Sequence, residues 1–181
     1  VIDDFAAGKT HILIGTQMVT KGLDFENVKL VGVMDADSMV NFPDFRAEER
    51  AYCMLTQVSG RSGRKGERGK VVIQAADLKN RVYRMLTEGD YETFFSQLVA
   101  ERGFFLYPPC ARLIQMEFRA RDAVVLRHAA NRVAMRLREK LGKRVCGPAV
   151  PEVGRIGGLY RLVVMLKIET GMSYSGVKSF I

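Results

Sequence analysis

Gln57-Val58-Ser59-Gly60-Arg61-Ser62-Gly63-Arg64 carries a glutamine and two arginines spaced i, i+4 and i+7, which on a helix share one face. Gly60 and Gly63 lie among them and leave little bulk between that face and whatever approaches it. Planar guanidinium groups aimed at one point suit a cluster of anionic oxygens such as a phosphate. A helix C-terminus fits the same residues, because arginines there complement the macrodipole and glycines end the helix. The two readings separate only against the sequence on either side.

Strand-like and helix-like segments alternate around this stretch. An apolar run at 11–15 ends in glycine and predicts a strand feeding a loop that continues to residue 27. A second strand is expected at 28–34, ending at Asp35-Ala36-Asp37, and a third at 71–75. Between them, Pro43 precedes a helix over about 44–57 whose apolar stripe is Ala47, Ala51, Met54, Leu55 and Val58. Two more helices are expected near 80–88 and 91–101. This order argues for an α/β layer with parallel strands, a domain closed at about residue 106 by Pro108-Pro109.

From 107 to 181 the pattern changes. Leu113, Gln115, Glu117 and Arg119 alternate with Ile114, Met116 and Phe118, a period of two. A long helix follows from Asp122 to about Leu141, with Val125, Ala129, Val133 and Leu137 as its expected core stripe. A strand interrupted by Pro148 is expected over 143–153, a turn at 154–158, a strand over 160–169 and a helix from Tyr174 onward. This β-α-β-β-α order suits a small ferredoxin-like α+β sandwich lacking its last strand. The chain starts at Val1 without a methionine and stops at Ile181, so we read it as a piece of something longer.

No apolar run approaches the roughly 20 residues that span a bilayer, and acids at Asp3 and Asp4 do not suit a signal peptide. Cys53, Cys110 and Cys146 are far apart, which argues against a zinc or disulfide framework and for a reducing compartment; each is expected to be a small buried or half-buried residue. Residues 1–100 hold 13 Lys+Arg against 14 Asp+Glu, a net of −1, whereas 101–181 hold 15 against 6, a net of +9. A basic second half points to a polyanionic partner.

The loop Gly15-Thr16-Gln17-Met18-Val19-Thr20-Lys21-Gly22-Leu23-Asp24-Phe25 ends 32 positions before Gln57. Together the two stretches resemble motifs V and VI of superfamily 2 helicases, which lie on the second RecA-like lobe. The match narrows with Val31-Gly32-Val33-Met34-Asp35-Ala36-Asp37, with Asn41-Phe42-Pro43-Asp44-Phe45-Arg46 and with Tyr107-Pro108-Pro109. These, and Cys146-Gly147-Pro148-Ala149 with Tyr160-Arg161 beyond, resemble the PriA family of primosomal replication-restart helicases.

The resemblance implies part of lobe 2 at 1–106 and a DNA- and partner-binding domain at 107–181. It implies an ATP-dependent 3′-to-5′ DNA helicase that acts on forked and single-stranded DNA. Partners would be the single-strand-binding protein and other primosome proteins, in the bacterial cytoplasm at the nucleoid. Arg61 and Arg64 would be arginine fingers at the γ-phosphate and Gln57 a polar contact there. Gly22 and Asp24 would lie by the nucleotide and its ribose, and Thr16, Gln17 and Lys21 by the DNA strand. Arg132 and Arg136 are DNA candidates in the basic domain, alongside Arg127, Arg138, Arg155 and Arg161. Phe118 and Tyr160 could stack on bases, but their alternating strand positions favour core packing.

No G-x-x-x-x-G-K-[ST] loop and no D-E-x-H pair occurs here, so ATP and magnesium need lobe 1, and this segment alone is expected to lack ATPase activity. The family's zinc-binding cysteine module is expected upstream. Asp35 and Asp37 invite a metal or general-base reading, but acids at a strand end commonly cap the next turn. Rival readings are a docking or RNA-binding module without motor function, and a different superfamily 2 translocase.

Overall fold

Leu30–Val33 (β1) and Lys70–Ile73 (β2) pair in parallel, Leu30 opposite Lys70 and Val33 opposite Ile73. They belong to a computed structural model that describes residues 1–16, 28–60, 69–173, 176 and 177. Parallel neighbours need a crossover, and among its described residues are two helices, α2 (Asp37–Val40) and α3 (Ala47–Ser59). A short helix α1 (Ile2–Ala6) precedes β1; α4 (Arg81–Glu88) and α5 (Tyr91–Phe105) follow β2. The chain falls into two compact units, Val1–Ser96 and Gln97–Ile181, divided within α5.

In the first unit, α3 buries Ala47, Ala51, Leu55 and Val58, the stripe expected from its period, while Met54 is half-buried and Tyr52 takes its place in the core. Tyr52 stacks on Phe94 of α5, ring centroids 4.7 Å apart. The expected strand at 11–15 is not formed. Ile12 and Ile14 are 79% and 89% exposed, and no strand among the described residues runs beside them to satisfy their backbone groups.

The second unit is antiparallel. Ala111–Ala120 (β3), Val145–Ala149 (β4), Arg155–Ile156 (β5) and Leu159–Glu169 (β6) form one sheet in the order β3-β6-β4, with β5 hairpinned onto β6. β3 and β4 both oppose β6, so they run parallel to each other. Helix α6 (Ala123–Leu141) joins them in a split β-α-β. Pro148 is accommodated because β4 lies at the sheet edge.

The core stripe of α6 agrees with expectation at Leu137 and departs from it in the earlier turns. Leu126 and Ala130 are buried with Leu162, and Ala134, Leu137 and Leu141 with Val164, Leu166 and Ile168; Val125 is 61% exposed, and Val133 is half-buried against the same core. The expected stripe keeps a spacing of four, whereas the observed one shortens to three between Ala134 and Leu137. Alanines at 130 and 134 let the helix approach the sheet, a contact that spacing alone does not reveal. Of the helix expected from Tyr174, only Gly176 and Val177 are among the described residues, and Val177 is buried in this core.

Candidate functional site

The last turn of α3 is held from several sides. Acidic Glu48 and Glu49 favour its first turn, and Gly60 closes its end with an N–H donating to the Thr56 carbonyl at 3.0 Å. Glu48 also accepts from Arg81 of α4, Nε to Oε2 at 2.8 Å, with a second contact from Nη2. Val58 is buried beside Gln57, so Gln57 is turned outward and exposed at the end of a braced helix. Arg61 and Arg64 lie outside the described residues, as do Gly22, Asp24, Gln17 and Lys21. Thr16 is exposed in a segment that is neither helix nor strand.

A Cβ added at Gly60 would meet only the Gln57 and Thr56 carbonyls, at 3.6 and 3.7 Å. These are ordinary contacts, and the described fold does not require a glycine there.

Asp37 accepts from the Ala76 N–H beyond β2 and from the Tyr83 hydroxyl of α4, at 3.1 Å for the latter. Its carboxylate thus ties the end of β1 to β2 and α4, a longer reach than the local cap its position suggests. Burial first, and then the hydrogen bond to Asp37, pushes the Tyr83 phenol well above its ordinary range. Among the described residues no group of His, Cys, Asp or Glu could hold a metal ion. Cys53 and Cys146 are exposed, contrary to expectation, because each lies on the solvent side of its element; Cys110 is half-buried.

The basic unit sorts its arginines into two groups. Several are committed internally. Arg138 donates through Nη2 to the Gly147 carbonyl, and Arg144 pairs with Glu169 at 2.7 Å. Arg161 and Arg119 both grip Glu117, the latter at 2.9 Å, and Arg161 Nη1 also donates to the Val153 carbonyl at 2.8 Å. Those two arginines hold the Glu117 carboxyl down at about 2. Arg127, Arg132 and Arg136 are the second group: exposed on α6, with no ion pair or hydrogen bond to any described residue. Asp122 starts that helix by accepting from the N–H groups of Val124 and Val125 at 2.7 and 3.0 Å, and Gly142 with φ of 56° ends it. Arg132 and Arg136 line a groove of about 410 Å³ along α6 together with Val124, Val125, His128, Ala129 and Val133.

Phe118 packs into the core as expected, but Tyr160 does not; it is 37% exposed with the Arg155 guanidinium over its ring. The Gly157-Gly158 turn makes Tyr160 only the second residue of β6, ahead of the buried stripe that begins at Leu162.

The helicase conserved C-terminal domain family matches residues 1–66, the span that holds both motif stretches. The chain is 38% identical over 172 residues to the replication restart protein PriA of Treponema pallidum, covering 92% of this chain and 26% of that protein. It is 37% identical to PriA of Bacillus subtilis over 177 residues and 37% identical to PriA of Synechocystis over 169 residues. Those matches cover 96% and 92% of this chain and 22% and 20% of the respective relatives. The chain thus spans about a quarter or less of the length of these relatives. No described helix is long and apolar enough to cross a membrane.

Proposed function

From the premise that the chain belongs to the PriA family of replication restart proteins and carries helicase C-terminal domain sequence, we propose that it is part of an ATP-dependent 3′-to-5′ DNA helicase acting in replication restart. The observation that carries this reading is the occurrence of both motif stretches within the matched span, with Gln57 turned outward at the end of a braced helix.

Arg61 and Arg64 stabilise negative charge on the transferring phosphoryl oxygens of ATP, and Gln57 makes a polar contact at the same phosphate. Gly22 leaves room for the nucleotide and Asp24 receives its ribose hydroxyls. Thr16, Gln17 and Lys21 hold a DNA phosphate, which positions the strand without reading its sequence. The phosphate-binding loop and the magnesium ligands come from outside these 181 residues; the residues named here make no metal contact. Zinc belongs to a cysteine module that this sequence does not contain.

The second unit is a ferredoxin-like module, its strand order and crossover helix those of a split β-α-β. Arg132 and Arg136 of α6 bind the backbone of forked and single-stranded DNA without sequence preference. Single-strand-binding protein and other primosome proteins are its protein partners, and the bacterial cytoplasm, at the nucleoid, is its location.

The direct test is ATP hydrolysis by the purified 181-residue chain with single-stranded DNA. No hydrolysis above background is expected, alongside salt-sensitive DNA binding. DNA-stimulated turnover by this chain would overturn the division of labour proposed here.

A further inference from the structure

Tyr160 lies on the face of β6 that carries Leu162, Val164 and Leu166, which are 8%, 0% and 0% exposed, yet is itself 37% exposed. Its ladder neighbours explain how the ring stays open. Across β6 it pairs with Arg155 on one side and Ala120 on the other. Arg155 does not cover it with apolar surface; its guanidinium carbon stands 4.8 Å from the ring centroid. Ala120 offers only a methyl group. Arg121, the next residue in the chain, is exposed and makes no hydrogen bond or ion pair with a described residue.

A flat aromatic ring under a flat cation, on a unit with a net charge of +9, has the surface chemistry of a stacking site. Every base has a π-face, so such a platform accepts any nucleotide, and a nearby arginine can hold its phosphate. We propose that Tyr160 and Arg155 form a stacking platform for an unpaired base of single-stranded DNA, with Arg121 serving the flanking phosphate. The inference rests on the DNA-binding reading above and adds to it an aromatic base contact. A stacked base prefers an unpaired strand, so the platform favours the single-stranded arm of a fork over its duplex.

The chain contains no tryptophan, so Tyr160→Trp creates one fluorescent indole at the platform. Binding to a fifteen-residue thymidine oligonucleotide is measured by anisotropy, and indole emission by titration with the unlabelled strand. Tyr160→Ala is expected to weaken binding about 5- to 150-fold, the range for loss of one stacked base, while Tyr160→Phe stays within about twofold of the parent. Tyr160→Trp is expected to bind and lose emission at saturation. Quenching is the decisive readout. An unquenched Tyr160→Trp that binds DNA overturns the platform whatever Tyr160→Ala does, and leaves the DNA-binding reading intact. Failure of the parent chain to bind the oligonucleotide at low salt overturns both.

Discussion

Replacing Arg132 and Arg136 together by alanine is expected to flatten the salt dependence of DNA binding without weakening the fold. Both side chains are exposed on α6 and spend no charge on a described partner, so each is available to a phosphate. Each phosphate contact contributes about 0.9 to the slope of log affinity against log salt on duplex DNA, and about 0.7 on a single strand. Losing two contacts therefore lowers the slope by about 1.8 or about 1.4. Between roughly 50 and 200 mM salt, a fourfold change, the affinity gap between parent and variant on duplex then shrinks by about tenfold. Stability moves by less than about 0.5 kcal/mol, as for other exposed positions. Arg138→Ala is the control. That guanidinium is already committed to the Gly147 carbonyl, so its loss costs stability and leaves the slope where it was. Anisotropy titrations at four or five salt concentrations, with urea melts of the same samples, separate the two effects. An unchanged slope in the double variant, or an equal drop in Arg138→Ala, would refute the assignment of phosphate contacts to α6.

Leu166→Ala removes a side chain that is 0% exposed at the centre of the antiparallel sheet and is expected to cost about 2–5 kcal/mol in urea unfolding, whereas Val125→Ala, at 61% exposure, costs under about 0.5 kcal/mol. A large cost at Val125 would restore the helix phase expected from spacing. Glu117 titrates near 2 in the folded chain against an ordinary 4.5, so its ion pairs stabilise fully above about pH 4.5 and lose their contribution as the pH falls toward 2. Glu117→Gln is therefore expected to be less stable than the parent at pH 6, with the difference closing across that window; a pH-independent difference would contradict it. Gly60→Ala is expected to leave stability unchanged or raise it by up to about 1 kcal/mol, since its φ of −70° and contacts near 3.6 Å accept a methyl group. A loss above about 1 kcal/mol would show that the fold itself needs the glycine.

Local spacing made several elements legible. The parallel pair β1–β2 and the buried face of α3 follow from apolar runs bounded by turns, and the motif stretches lie within the span matched by the helicase C-terminal family. What spacing missed depends on contacts distant in sequence. The run at 11–15 has strand composition, but a strand exists only where a neighbour supplies backbone partners. On α6, Val125 faces solvent and Val133 is only half-buried, while Ala130 and Ala134 take fully buried positions and allow close approach to the sheet. Arginine count alone does not tell which guanidinium groups the fold already engages, as Arg138 and Arg161 are by backbone carbonyls. Tyr160 has the parity of a core residue but sits before the core begins, at the end of a hairpin whose Gly157-Gly158 turn sets that offset.

The proposed action of Arg61 and Arg64 on ATP is tested most directly by DNA-stimulated ATP hydrolysis in the complete protein bearing this segment, with each arginine changed to alanine. At least one variant is expected to lose about a thousandfold or more in kcat, the scale of a removed arginine finger, while still binding DNA. Turnover within about threefold of the parent in both variants would contradict it.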